Sequence, residues 1–157
     1  MVEEFMTDIG TICSRGVYIG RPGDALAHAA RQMLASHVGA LVVVDPESEG
    51  LRPLGMLTDR DIVCGQLGSA RDLFCLNVED VMSSDVLTLA ETCGIAEALG
   101  RMSERSVRRA PVVDHNGNLV GIVTLDDLLP ALAKDLDALA QLVSSQPRHE
   151  KRSGADR

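Results

Sequence analysis

A seven-residue pattern occurs twice in the chain, as Gly55-Met56-Leu57-Thr58-Asp59-Arg60-Asp61 and as Gly121-Ile122-Val123-Thr124-Leu125-Asp126-Asp127. Each copy closes a segment of the same layout. The chain is therefore an internal duplication, and its fold must be assembled from two like halves. Laying Ile12 to Asp45 over Val81 to Asp114 pairs Ser14 with Ser83, Val17 with Val86, Ala27 with Ala96, Ala29 with Ala98, Met33 with Met102 and Val38 with Val107. Val43-Val44-Asp45 and Val112-Val113-Asp114 match outright. The first copy then carries a longer hairpin, Pro46-Glu47-Ser48-Glu49-Gly50, where the second has Asp114-His115-Asn116-Gly117. Asn-Gly between apolar runs is a strong hairpin signal.

Each half reads as strand (near Val17 or Val86), helix (about Asp24 to Ser36, or Thr92 to Glu104), strand, hairpin, strand, helix. The expected class is α/β (α+β), with two pseudo-symmetric β-α-β-β-α repeats packed into one module. Leu26, Ala29, Ala30, Met33 and Leu34, or Ile95, Ala98, Leu99 and Met102, recur at helical spacing and place one apolar stripe against a sheet. Leu41-Val42-Val43-Val44 and Pro111-Val112-Val113 are continuous apolar runs, as in strands covered on both faces. One repeat has too little interior to stand alone, so the two should pack about a pseudo-twofold axis. The organisation we expect is repeat 1 over residues 9–66, a linker over 67–77, repeat 2 over 78–132, a C-terminal helical extension over 133–143 and a tail without structure over 144–157.

Composition narrows the function. The 157 residues suit one compact unit, and with two Phe, one Tyr and no Trp the core must be aliphatic. A net charge of −8 argues against general binding to nucleic acid or anionic membrane. The start MVEEFMTDIG has acids where a secretory signal has bases, and no run approaches a membrane span, so a cytoplasmic protein is expected. Cys13, Cys64, Cys75 and Cys93 form no CxxC pair. They read as reduced small hydrophobes, with a redox or metal response as the weaker alternative.

In the repeated motif, Thr and an acid three residues later at a helix start form a capping box. The same placement brings a hydroxyl and a carboxylate to a helix N-terminus, where anionic ligands bind readily. Glycine three residues before the Thr admits a close backbone approach, and the carboxylate can accept both hydroxyls of a ribose diol. Recurrence in register favours a ligand role beside the structural one.

The tandem G-h-x-T-x-x-D motif resembles that of the CBS domain family, over about residues 9 to 132. The resemblance implies a stand-alone regulatory pair that senses an adenosine-containing ligand, with clefts built from both repeats. One pocket would combine Thr58 and Asp61 with Val86, Leu87, Val107, Arg108 and Arg109. Its mate would combine Thr124 and Asp127 with Val17, Tyr18, Val38, Gly39 and Ala40. Arg108 and Arg109 are either phosphate contacts or a solvated pair, and Arg60 is either a further phosphate contact or half of a surface ion pair. The implied ligand is an adenine nucleotide or S-adenosylmethionine, with no cofactor required and no metal site. The first repeat departs from the second in having Cys13 for Met82 and Val42 for Pro111.

The resemblance also implies a homodimer and an unidentified regulated protein. Leu129, Leu132, Leu136, Leu139 and Val143 make a heptad-like stripe that either covers the module's own flank or forms a dimer contact. No catalytic residues are expected. His28, His37, His115 and His149 read as surface residues outside any HExxH or nucleophile-elbow arrangement.

Overall fold

The computed structural model describes residues 7–145. A short α1 (Ile9–Ile12) precedes the first repeat, which runs β1 (Ile19–Gly20), α2 (Leu26–Ser36), β2 (Ala40–Val44), β3 (Pro53–Thr58) and α3 (Asp59–Gly68). Two 3-10 turns, Leu73–Cys75 and Val78–Asp80, lead to the second repeat. It runs β4 (Leu89–Ala90), α4 (Ile95–Glu104), β5 (Arg109–Val113), β6 (Leu119–Thr124) and α5 (Leu125–Ser145). Each repeat has a three-stranded sheet, β1-β2-β3 or β4-β5-β6, whose first pair is parallel and second antiparallel. Both antiparallel ladders slip at the same place, between Val43 and Val44 and between Val112 and Val113, so the duplication extends to the irregularities.

The first strands begin later than Val17 and Val86, at Ile19 and Leu89. Parallel pairing starts only where the Val42 N–H reaches the Tyr18 carbonyl (3.0 Å), which frees Val17 to sit on a crossing segment. The helices also begin later than Asp24 and Thr92. Asp24 is held in a turn, its carboxylate accepting from the Arg21 N–H (2.8 Å) and its carbonyl from Val78 (2.9 Å). α2 ends where His37 takes a left-handed conformation (φ 54°), and Ser106 does the same after α4 (φ 52°). Both turns point the following residues toward the space between the repeats.

Two cores result. Leu26, Ala29, Met33, Leu41, Val43 and Leu57 pack in the first, and Leu89, Ile95, Ala98, Met102, Val112 and Val123 in the second. Leu34, expected on the apolar stripe, is 77% exposed because it sits to one side of the arc defined by Leu26, Ala29 and Met33. All of Leu41 to Val44 is buried, so β2 is covered on both faces.

Each core is completed by a segment from outside its strands and helices. Ile9 of α1 is fully buried in the second core, with its N–H on the Cys93 carbonyl (2.9 Å). Leu76 and Val78, from the stretch between the repeats, are buried in the first core, and the Leu76 carbonyl accepts from Leu26 (2.9 Å). Contacts of this kind link residues far apart in the chain.

α5 continues through residue 132 without a break, and Ser144 and Ser145, expected to lie in an unstructured tail, form its last turn. The rest of that stretch, including His149, lies outside the described residues. Leu128 is fully buried and Leu132 packs on the second core, whereas Leu129 (56%), Leu136 (58%), Leu139 (52%) and Val143 (75%) are exposed. The stripe therefore does not simply cover the module's own flank. Among the described residues no helix is long and apolar enough to cross a membrane.

Candidate functional site

The repeats are joined by two reciprocal crossings. Ser83, entering the second repeat, exchanges two backbone hydrogen bonds with Met56 on β3, and Ser14 exchanges two with Ile122 on β6, all 2.9 Å long. The motif glycines make room for them. A Cβ on Gly55 would lie 2.5 Å from the Ser83 carbonyl oxygen, and one on Gly121 would lie 2.6 Å from Cys13 Sγ and 3.0 Å from the Ser14 carbonyl oxygen. The close approach that the glycines permit is thus by the chain itself. It brings Asp85 to Leu87 alongside the start of α3, and Gly16 to Tyr18 alongside the end of β6.

A cleft of about 410 Å³ opens beside the first crossing. Thr58, Asp59, Arg60 and Asp61 contribute the start of α3, and Ser83, Asp85, Val86 and Leu87 the crossing segment. Ser106, Val107, Arg108 and Arg109 close it from the α4–β5 turn, with Met56 at the base. All seven residues assigned to this pocket from sequence line it. Met56, Asp59, Ser83, Asp85 and Ser106 were not assigned. Asp59 could have been found from its place inside the repeated motif, whereas Ser106 depends on a left-handed turn that its residue type does not announce.

Capping and ligand roles for the Thr-Asp pair are compatible. The Asp61 N–H donates to Thr58 Oγ1 (3.1 Å), while Asp61 Oδ2 accepts from the Thr58 N–H (2.8 Å) and hydroxyl (2.7 Å). Thr124 and Asp127 repeat the arrangement at 3.3, 2.8 and 2.8 Å. The Thr hydroxyl proton therefore points inward to the carboxylate and fixes its rotamer. Of the two carboxylate oxygens, Oδ1 is the one outside the box.

The cleft is rich in charge. Arg60, Arg108 and Arg109 line it together with Asp59, Asp61 and Asp85, and among the described residues none of the three arginines joins an ion pair. Arg60 is thus not half of a surface ion pair here. Asp85, which also lines the cleft, pairs with Arg105 (2.6 Å), which does not.

A second cleft, about 200 Å³, lies beside the other crossing. Gly16, Val17 and Tyr18 meet Val38, Gly39, Ala40 and Val42 across it, with Ile122, Thr124 and Arg109 completing the wall. Six of the seven residues assigned to this pocket line it. Asp127 does not, although it makes the same capping box as Asp61, which does line its cleft. Where the larger cleft has Arg108, this one has Gly39, and a Cβ there would meet Asp59 Oδ2 at 3.4 Å. With Arg109 but no counterpart of Arg108 in its lining, the smaller cleft is a poorer host for a highly charged phosphate chain.

A model of the CBS domain matches the chain twice, over residues 9–66 and 78–134. The chain belongs to the CBS domain family. An uncharacterized protein of Methanopyrus kandleri is 33% identical over 121 residues, a match that spans 77% of this chain and 60% of that protein. Hypoxic response protein 1 of Mycobacterium tuberculosis is 32% identical over 140 residues, spanning 89% of this chain and 94% of its own. A crystal structure of Hypoxic Response Protein I with two coordinated zinc ions superposes at a TM-score of 0.70 with 32% identity, covering 80% of this chain and 99% of the other. The structure of CBSX2 in complex with AMP superposes at 0.68 with 22% identity, covering 81% and 96%, a likeness of fold. The two pseudo-symmetric repeats here form the paired CBS module of that family.

The cysteines occupy unlike settings. Cys64 and Cys75 are exposed, Cys13 is half-buried at the second crossing and Cys93 is buried. Burial pushes the Cys13 and Cys93 thiols above their ordinary value, against an opposing pull from Arg15 on Cys13 and Arg101 on Cys93. Among the described residues no group of three or more His, Cys, Asp or Glu side chains is placed to hold a metal ion. His28, His37 and His115 are exposed.

Proposed function

We propose that this CBS pair is a regulatory module whose larger cleft binds an adenine nucleotide. The observation that carries the reading is one cleft in which a carboxylate held at a helix N-terminus faces three guanidinium groups that join no ion pair among the described residues. Arg60, Arg108 and Arg109 supply charge-assisted donors to a phosphate chain. Asp61 Oδ1 accepts from a ribose diol, and Val86, Leu87 and Val107 offer an apolar wall to the base. A volume of about 410 Å³ lies within the roughly 300–1,000 Å³ typical of small-molecule sites. The AMP held by the CBSX2 neighbour supports the ligand class. S-Adenosylmethionine, whose sulfonium is cationic, fits the arginine wall less well. The smaller cleft, which Arg109 also lines, takes a less charged adenosine compound in preference to a phosphate chain.

Ligand binding regulates by favouring the conformation or assembly that holds it best, which is ordinary linkage. No catalytic role is assigned to the module. Titration of the protein with AMP, ADP, ATP and adenosine tests the reading. Phosphorylated ligands should bind more tightly than adenosine, and Arg108→Ala with Arg109→Ala should remove that preference. Equal affinity losses for all four ligands would contradict the phosphate contacts.

A second reading rests on α5. The exposed Leu129, Leu136, Leu139 and Val143 at heptad spacing fit a homodimer contact whether or not a ligand binds. Sedimentation of Leu136→Asp should then show a monomer where the parent protein is a dimer. A monomeric parent protein at high concentration would exclude this reading.

A further inference from the structure

Arg109 forms part of the wall of both clefts. It opens β5, where it pairs with Thr124 at the rim of the smaller cleft, and it follows Arg108, which lines only the larger one. It is half-buried, and among the described residues it joins no ion pair. Among the described residues it is also the only charged one lining the smaller cleft. The duplication offers no second copy of it, since the matching position in the first repeat is Ala40.

We propose that Arg109 is a shared anion contact that couples the two clefts. One guanidinium cannot serve phosphates on both sides at full strength. An anion in the larger cleft draws Arg109 toward itself and leaves the smaller cleft lined by neutral groups alone. A second anion then binds more weakly, and by reciprocity an anion in the smaller cleft weakens the larger. A neutral nucleoside in the smaller cleft does not compete for the guanidinium. The module is thereby better suited to hold one anionic and one neutral ligand together than two anions. This inference rests on the nucleotide reading of the larger cleft.

The test is calorimetric titration with ADP and with adenosine, on the parent protein, Asp61→Ala, Arg109→Gln and the double variant. Asp61→Ala disables the larger cleft and reports the smaller one with Arg109 free; Asp61→Asn, which keeps an acceptor for the Thr58 N–H, replaces it if folding suffers. We expect the second ADP step of the parent protein to be on the order of tenfold weaker than the single ADP step of Asp61→Ala. With Arg109→Gln in both backgrounds the two affinities should agree. Adenosine should bind parent protein whose larger cleft alone is filled by ADP as tightly as it binds the smaller cleft of Asp61→Ala. Agreement of the two ADP steps with Arg109 present would overturn the proposal, as would a difference that persists in Arg109→Gln. Failure of Asp61→Ala to bind ADP while still binding adenosine would show that the smaller cleft takes no anion, and would also overturn it. If the parent protein binds neither ligand, the nucleotide reading itself fails and this inference falls with it.

Discussion

In the larger cleft a Thr-Asp capping box faces Arg108 and Arg109, whereas the matching box, with nearly the same hydrogen-bond lengths, presents Thr124 without Asp127 to the smaller cleft, opposite Gly39 and Ala40. The scaffold is common to both repeats: a strand that runs into a capped helix, a motif glycine crossed by a serine segment, and a left-handed turn that aims the next strand at the cleft. The chemistry is not common to both. It differs at the two positions where each left-handed turn delivers the chain to the cleft wall, and substitutions there leave the helix and sheet undisturbed. One site therefore gathers three arginines while its twin has Arg109 and stays small.

Breaking the crossings should have the largest effect and should separate the two halves. In Gly55→Ala the added Cβ meets a backbone oxygen, so neighbouring side-chain trimming cannot relieve it, and thermal unfolding should show a loss of about 3 kcal/mol. Gly121→Ala meets Cys13 Sγ first, so Cys13→Ala should restore part of its smaller loss. Equal rescue of Gly55→Ala by Met82→Ala would show that the two crossings are packed alike.

Next in size is the loss of anion preference. Arg108→Ala with Arg109→Ala should weaken ADP binding by about 10- to 100-fold, the scale of lost charge-assisted hydrogen bonds at a partly exposed site, and should leave adenosine within a few-fold. The mirror experiment, Gly39→Arg with Ala40→Arg, should not create an equal site, because Asp59 Oδ2 lies 3.4 Å from where the new Cβ would sit at position 39. Titration of both variants sharpens the contrast between the clefts.

Removing either carboxylate should cost about 1 kcal/mol of stability through loss of the cap, to a similar degree for Asp61→Ala and Asp127→Ala in calorimetric unfolding. Only ligand-dependent stability should distinguish them.

A smaller effect separates the cores. The thiols pushed up by burial, Cys13 and Cys93, both pack in the second core, while the first core holds none. Below the ordinary thiol value of 9.0 both folded and unfolded chains keep these protons, and stability from this source is fully present. Above it the unfolded chain releases them first, binds fewer protons than the native state, and is favoured. Stability should fall as pH rises through the thiol range, and Cys13→Ala should flatten that slope in melting curves taken against pH.

Much of this was legible because it is written locally. The repeat, the hairpins and both capping boxes depend on residues within a few positions of one another, and the paired apolar runs fix the buried strands. The larger cleft was legible for the same reason, since its residues flank recognisable turns. What escaped the sequence depends on distant partners. The late start of α2 follows from Leu76, fifty positions away, binding its first amide. The exchange of α1 into the second core leaves no local signature, and the meaning of the motif glycines changes once Ser83 and Ser14 are seen crossing them. Arg109 reads as one half of a dibasic pair, and only the fold sets it between two clefts.

The most direct test of the central claim is a thermal-shift comparison of the parent protein, Asp61→Ala and Asp127→Ala with AMP, ADP, ATP, adenosine, S-adenosylmethionine and NAD(H). A ligand at one hundred times its dissociation constant adds about 2.7 kcal/mol to the folded state. The account requires stabilisation by an adenine nucleotide that Asp61→Ala reduces far more than Asp127→Ala does. Stabilisation lost in Asp127→Ala alone, or no shift with any of these compounds, would contradict it.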